Sequence, residues 1–309
     1  MTSCETSGAS GILTRRSLVG MGAALTGSSL IGVHGAALAA TPARSRLATT
    51  HSGRVKVHTY TAPEKGWQVT TQIVELSDQL IVVDGQYLLP YGREAAAFCK
   101  SLNKPISRLY ITHFHPDHHL GAEAFGAPVY ALADVKAKII AIGDRLAREE
   151  SAKFPDEPGI IPAHAIRPEF EATAGTETIS GETFQFDVVR HAEADPSLVV
   201  GLPEHRILIA QDLVYNRIHL FLGEKNFDGW TAALETWRAK PYDRILPGHG
   251  VPTGPKVYEE MIGYLAFAKQ ALAEAKDGPS FEQTLIRRYP DWGGRALLEH
   301  ERRFLFKAA

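Results

Sequence analysis

One short stretch constrains this chain more than any other. Tyr110-Ile111-Thr112-His113-Phe114-His115-Pro116-Asp117-His118-His119 holds four of the chain's thirteen histidines within seven positions. Residues two apart in an extended segment point the same way, so His113 and His115 can approach one cation together. Pro116 restricts the backbone and turns it, which lets Asp117 and His118 face a neighbouring position. Imidazole nitrogen and carboxylate oxygen are donors that zinc accepts at about 2.0–2.2 Å. Two such ions about 3.5–4 Å apart can share one hydroxide and make it a nucleophile near neutral pH. The residues just before the cluster, Arg108–Thr112, read as a short buried strand of Leu, Tyr and Ile, so the cluster sits where a strand ends, as sites in α/β folds do.

The flanking pattern supplies the sheet that such a strand needs. Arg54–Tyr60, Val69–Leu76 and Gln79–Asp84 are rich in Val, Ile, Thr and Tyr, and turn-prone residues separate them, so they read as consecutive antiparallel strands. Tyr91–Leu102 has helical spacing, and further helical patterns cover Leu120–Phe125 and Ala133–Ala152 around a strand at Val129–Ala131. Phe184–Arg190, Ser197–Leu202 and Ile207–Ala210 form a second strand group. A helix capped by Asp228 and running through Arg238, a strand at Arg244–Leu246 and an amphipathic helix over Val257–Ala275 follow it. Ser280-Phe281-Glu282-Gln283 matches a capping box that opens a C-terminal helix. Two strand groups, each followed by helices, predict two sheets packed face to face with helices outside, a four-layer αββα sandwich of the α/β (α+β) class. The Pro-punctuated passage from Phe154 to Gly175 is long for a structureless loop and is a candidate lid or pocket wall.

Residues 1–39 are of a different kind. Arg15 and Arg16 precede an apolar, Gly- and Ala-rich stretch from Leu18 to Val33, and small residues end in Ala37-Leu38-Ala39-Ala40, the order of a cleavable export signal with scission after Ala39. Thr14-Arg15-Arg16-Ser17-Leu18-Val19 is similar to a twin-arginine signal, so a periplasmic or secreted location is expected, with residues 40–309 as a single domain carrying a C-terminal helical tail. The apolar run is shorter than the roughly 20 residues a membrane span wants, so no stable membrane insertion is expected after cleavage. With 33 basic against 35 acidic residues, net charge gives nucleic acid no hold on the chain. Cys4 and Cys99 are the two cysteines, and Cys4 lies in the segment read as removed, so a disulfide framework is excluded by counting.

Read by itself, Asp212 at the end of an apolar strand suits a turn or cap, and His249 between Gly248 and Gly250 suits a turn as well as a site. Taken with the cluster they acquire an order. His113-Phe114-His115-Pro116-Asp117-His118, Ser197-Leu198-Val199-Val200-Gly201-Leu202-Pro203-Glu204, Ala210-Gln211-Asp212 and Leu246-Pro247-Gly248-His249-Gly250 together resemble the metallo-β-lactamase superfamily over nearly all of residues 40–309. The resemblance implies a metallo-hydrolase, with zinc, two ions per chain, as the expected cofactor. It implies that Asp212 bridges both metals, and that His249 completes the second metal's ligands with Asp117 and His118.

One departure from the family pattern stands out. Where the family usually has a third histidine on the first metal, this chain has Glu193, and His191 lies two residues earlier. If Arg190–Pro196 is extended, the two point to one side, and either could ligate. A carboxylate there would move the first site toward the oxygen-richer shells that iron or manganese tolerate. Tyr215, three residues after Asp212, resembles in position a tyrosine of superfamily lactonases and could assist an oxyanion, or it could simply pack in the core. With His219, Phe221 and Trp230 it would give a mainly apolar pocket mouth, suited to a small-molecule substrate with an apolar part. The expected reaction is attack of a metal-bridging hydroxide on a lactone, ester, thioester or amide carbonyl, with Asp117 orienting or deprotonating the nucleophile. An iron-dependent oxidoreductase and a non-catalytic metal-binding protein on the same fold are the alternatives.

Overall fold

In a computed structural model, which describes residues 44–306, two sheets carry the chain. The export signal expected over residues 1–39 lies outside the described residues. The first sheet has seven strands in sequence order: β1 (Arg46–Ser52), β2 (Val55–Thr61), β3 (Thr70–Glu75), β4 (Leu80–Val83), β5 (Ile106–Ile111), β6 (Val129–Ala131) and β7 (Phe170–Glu171). From β1 to β4 neighbours run antiparallel through short turns. From β4 onward they run parallel, because helices now make the crossovers that parallel pairing requires. These helices are α1 (Leu89–Ser101), opened by Pro90 in its first turn where a missing N–H costs nothing, the single turn α2 (Pro116–His119), and α3 (Ala133–Ser151).

The second sheet comprises β8 (Gly175–Ile179), β9 (Glu182–Val189), β10 (Ser197–Leu202), β11 (Ile207–Tyr215) and β12 (Arg244–His249), paired in the order β12-β11-β10-β9-β8. Only the β11–β12 pair is parallel, and α4 (Phe227–Arg238) provides its crossover. The chain then ends its described part in α5 (Lys256–Glu274), α6 (Gly278–Arg288) and α7 (Arg295–Leu305). Strands β4, β10 and β11 are buried along their whole length, as strands covered on both faces must be. The sheets are stitched to each other at the buried end that carries the histidines. Leu198 N donates to Thr112 O at 2.9 Å, and Thr70 Oγ1 donates to Pro247 O at 2.6 Å. The α/β class and the sandwich of two sheets with flanking helices agree with the expectation.

Local details depart from it. Strand β11 does not stop at Ala210 but continues to Tyr215 through a register shift at Gln211, whose φ of 43° marks a bulge. A bulge re-aims the side chains that follow it, and the next residue is Asp212. The capping box belongs to Asp277 and Ser280, with Ser280 as its third helical residue instead of its cap. Asn226, not Asp228, precedes α4, and no side chain caps that helix. Among the described residues no helix is long and apolar enough to cross a membrane.

Candidate metal centre

Several strands deliver their ends to one place. Asp84 follows β4, His113 and His115 follow β5, Glu193 lies between β9 and β10, Asp212 sits after the bulge in β11, and His249 closes β12. Pro116 starts the helical turn that carries Asp117 and His118, while His115 before it stays extended at ψ 140°. His113, His115, Glu193 and Asp212 each present one nitrogen or oxygen atom, all within 4.8 Å of one another, and the same holds for Asp117, His118 and His249. Asp212 also reaches the second group. Its Oδ2 lies 3.7 Å from His113 Nε2 and 3.4 Å from His249 Nε2, and its Oδ1 lies 3.1 Å from His118 Nε2. Asp117 Oδ2 is 3.2 Å from His249 Nε2 and 3.4 Å from His118 Nε2.

The fit of this set to metal ions can be judged from its unsatisfied atoms. Nε2 of His113, His118 and His249, both carboxylate oxygens of Glu193, and Oδ1 of Asp212 are buried without a hydrogen-bond partner. A buried polar atom left unpaired costs about 1–3 kcal/mol, more when charged, and folded proteins avoid it. Such atoms converging from four separate chain segments are explained if their lone pairs are aimed at cations. The donors, nitrogen and carboxylate oxygen, suit zinc, and the two carboxylates in the first group also suit harder ions.

A second ring of contacts holds these side chains. Asp84, fully buried, lies 2.7 Å from His118 Nδ1 and accepts from Thr112 N at 2.8 Å, Thr112 Oγ1 at 2.8 Å and Gln211 Nε2 at 2.5 Å. The carbonyl of Trp67 accepts from His249 Nδ1 at 2.7 Å, and Glu224 Oε1 stands 3.5 Å from His115 Nε2. Such partners fix the tautomer and orientation of a ligating histidine. Sequence reasoning missed Asp84, Gln211, Trp67 and Glu224. A carboxylate placed straight after the apolar run Leu80–Val83 was the one available signal, and it pointed to Asp84 alone.

Electrostatics reflect the crowding of acids and imidazoles. Burial, and then the charge of His118, hold the His113 imidazole well below its usual value. Burial would lower His115 too, but the carboxylate of Glu193 outweighs it and pushes the ring up to about 10. Burial in turn pushes Glu193 up to about 7.

Between His191 and Glu193 the fold decides. The segment is not extended: β9 stops at Val189, and His191 turns at a φ of 55°, so the two residues no longer share a side. Glu193 is buried in the centre, whereas the side chain of His191 is 77% exposed and pairs with Asp195 at 2.7 Å. His191 therefore stays outside the group. Tyr215 is brought in, but with a different task from the one expected. It is buried, its hydroxyl donates to Asp212 Oδ2 at 2.7 Å, and its ring stacks on His249 at 4.4 Å, so the hydroxyl braces the Asp212 carboxylate and is not free for an oxyanion.

A pocket partly open to solvent reaches Asp117, Glu193 and Asp212. Its walls are mainly apolar: Trp67, Phe114, Leu146, Phe221, Leu297 and Phe304. No residue of 154–175 lines it, so that passage is not its wall. Two of the residues expected at its mouth also lie elsewhere. Trp230 Nε1 donates to Leu213 O at 3.0 Å, and His219 Nδ1 is 2.9 Å from the Tyr264 hydroxyl. The wall comes instead from the loop after β11, bearing Phe221, and from α7.

The model of the Metallo-beta-lactamase superfamily matches residues 65–249, more than half of the chain. The chain belongs to the metallo-beta-lactamase superfamily. Among solved structures this superfamily member is similar to a metallo-beta-lactamase from Pontibacter korlensis, at 21% identity and a TM-score of 0.54, covering 72% of this chain and 99% of that one. It is also similar to the mono-zinc form of the metallo-beta-lactamase FIM-1 from Pseudomonas aeruginosa, at 21% identity and a TM-score of 0.51, covering 73% and 97%. At such identities the likeness is one of fold. Among curated proteins it is 28% identical over 242 residues to the linear primary-alkylsulfatase of Pseudomonas sp. (strain ATCC 19151), which covers 66% of this chain and 45% of that relative. The chain thus spans less than half the length of that relative. Residues 250–306, including the α7 wall of the pocket, lie outside the region that the family model matches.

Proposed function

We propose that this superfamily member is a metal-dependent hydrolase that attacks a carbonyl-type group, such as a lactone, ester, thioester or amide, in a small substrate with an apolar part. The observation that carries the reading is the convergence of unpaired, buried donor atoms at the inner end of a mainly apolar pocket. His113, His115 and Glu193 would hold one ion, Asp117, His118 and His249 a second, and Asp212 both. Bound there, zinc would supply a water acidified toward neutral pH and a Lewis acid for the substrate oxygen.

The chain's own residues do the rest. Asp117, buried with one oxygen 3.4 Å from His118 Nε2 and 3.2 Å from His249 Nε2, would act as an acceptor that orients the attacking water at the pocket's inner end. Tyr215 keeps Asp212 in place through its hydroxyl. Phe221, Leu297 and Phe304 exclude water and hold the apolar part of the substrate, which leaves the scissile bond at the polar end. Lactones, carboxylic esters, thioesters and amides fit this arrangement. A second reading, a sulfate ester, is favoured by the alkylsulfatase relative.

Elemental analysis of the purified protein, followed by assays on p-nitrophenyl esters, aliphatic lactones and a primary alkyl sulfate, tests this. Zinc near two per chain and hydrolysis abolished by His115→Ala or Asp117→Ala are expected. Metal-loaded protein inert on every substrate would remove the hydrolase reading, and iron with oxygen consumption would replace it with an oxidoreductase. We further read the protein as exported, a proposal that cell fractionation of wild type and of a double Arg15→Lys, Arg16→Lys variant tests.

A further inference from the structure

We propose that Trp67 is a positioning residue that ties the substrate pocket to His249, and so to the Asp117–His118–His249 half of the centre; this rests on the metal-dependent reading above. The argument begins with the backbone. After the 3-10 turn Glu64–Gly66, Trp67 and Gln68 both take left-handed conformations, at φ 56° and 53°. For a bulky residue that is an outlier, and it persists where surrounding structure over-determines it. What the strained pair accomplishes is visible in its carbonyls. Trp67 O accepts from His249 Nδ1 at 2.7 Å, and Gln68 O accepts from the Gly250 N–H at 3.0 Å. A carbonyl can only accept, so Nδ1 of His249 carries a hydrogen, and in the neutral ring that a cation requires the lone pair is left on Nε2, the buried nitrogen without a partner.

The indole is what holds this backbone in place. It stacks on Tyr87 at 4.4 Å and 18°, meets the His300 ring of α7 at 4.7 Å, and has Lys153 Nζ 5.4 Å from its centre. Tyr87 is in turn fixed by donating its hydroxyl hydrogen to the buried Glu150 of α3 at 2.5 Å, and Glu150 also pairs with Lys153 and with Arg303 of α7. The same indole lines the pocket. One side chain, clamped between Tyr87 and His300 of α7, therefore sets the direction of the carbonyl that aims His249. Without the ring, the peptide is free to leave the left-handed region, and His249 loses its acceptor.

The test is a zinc titration, by calorimetry, of the chelator-stripped full chain as wild type and as Trp67→Phe, Trp67→Ala and Trp67→Gly. His249→Ala and His115→Ala serve as references that assign the two binding steps. Trp67→Phe keeps an aromatic clamp and should bind both ions as wild type does. Trp67→Ala should weaken the His249-dependent step about 10- to 100-fold, the usual effect of losing an outer-shell partner, and leave the His115-dependent step unchanged. Trp67→Gly removes the ring but accepts the left-handed backbone without strain, so it should fold even if the alanine variant does not, and show the same selective loss. Unchanged affinity in the glycine variant, or equal loss at both steps with unchanged circular dichroism, would overturn the proposal while leaving the hydrolase reading intact. Wild type that binds no zinc would overturn both.

Discussion

Tyr215 donates its hydroxyl hydrogen to Oδ2 of Asp212 at 2.7 Å, three residues earlier in β11. The carboxylate it braces lies between the two histidine groups, 3.7 Å from His113 and 3.4 Å from His249. Tyr215→Phe keeps the ring stacked on His249 but deletes a hydrogen bond to a buried charge, typically about 1.5–3 kcal/mol. The variant should lose stability of that order and bind its metals about 10-fold more weakly. Denaturant unfolding and zinc titration measure the two; wild-type values in both would show that the hydroxyl braces nothing.

Gly248 is the residue over which Asp212 lies. A Cβ there would stand 1.8 Å from Asp212 Oδ1 and 2.8 Å from the Asp212 backbone nitrogen. Neither atom can retreat, since one belongs to a buried carboxylate packed against His118 and the other to a buried strand. Gly248→Ala should therefore displace the carboxylate, at a cost of about 1–3 kcal/mol as for other overpacked cores, and lower the metal content. A variant that retained full metal content would mean that β12 can shift to accommodate the methyl group.

The third ligand of the first group is tested by comparing two substitutions. Glu193→Ala should reduce the metal bound per chain by one and abolish turnover, because it removes both oxygens aimed into the centre. His191→Ala, which touches a side chain 77% exposed, should leave metal content and activity unchanged. Plasma emission spectrometry on both proteins checks this, and the reverse pattern would restore His191 to the site.

Glu301 of α7 predicts a pH effect. Its carboxylate accepts from the Leu222 N–H at 2.6 Å, which pins the loop bearing Phe221 to α7. Burial holds its pKa well above the usual value of 4.5. The sign follows from the two states. Below pH 4.5 folded and unfolded chains both keep the proton and nothing is lost. Above it the unfolded chain ionises freely and the folded one does not, so stability falls as pH rises. Glu301→Gln keeps an acceptor for Leu222 and cannot ionise. Its melting temperature should match wild type near about pH 4 and exceed it increasingly toward about pH 8. A variant less stable than wild type at the alkaline end would contradict the assignment.

What the amino-acid order determined by itself is local. The extended stretch after β5 set His113 and His115 on one side, Pro116 set the turn that presents Asp117 and His118, and the strand and helix periods set a two-sheet sandwich. Each depends on residues within a few positions of one another, and such periods survive in a linear string. Asp212 and His249 could be named through a resemblance but not from spacing. The choice of Glu193 over His191 turned on one left-handed residue in a segment that pattern alone reads as extended. The partners of the ligands were beyond reach for a plainer reason. Trp67 meets His249 across 182 positions, and Gln211 meets Asp84 across 127. The pocket wall likewise comes from α7, far along the chain from the histidines. Contacts of that kind exist only once the sheets have packed, because packing decides which buried atoms find partners and which are left unpaired at one point.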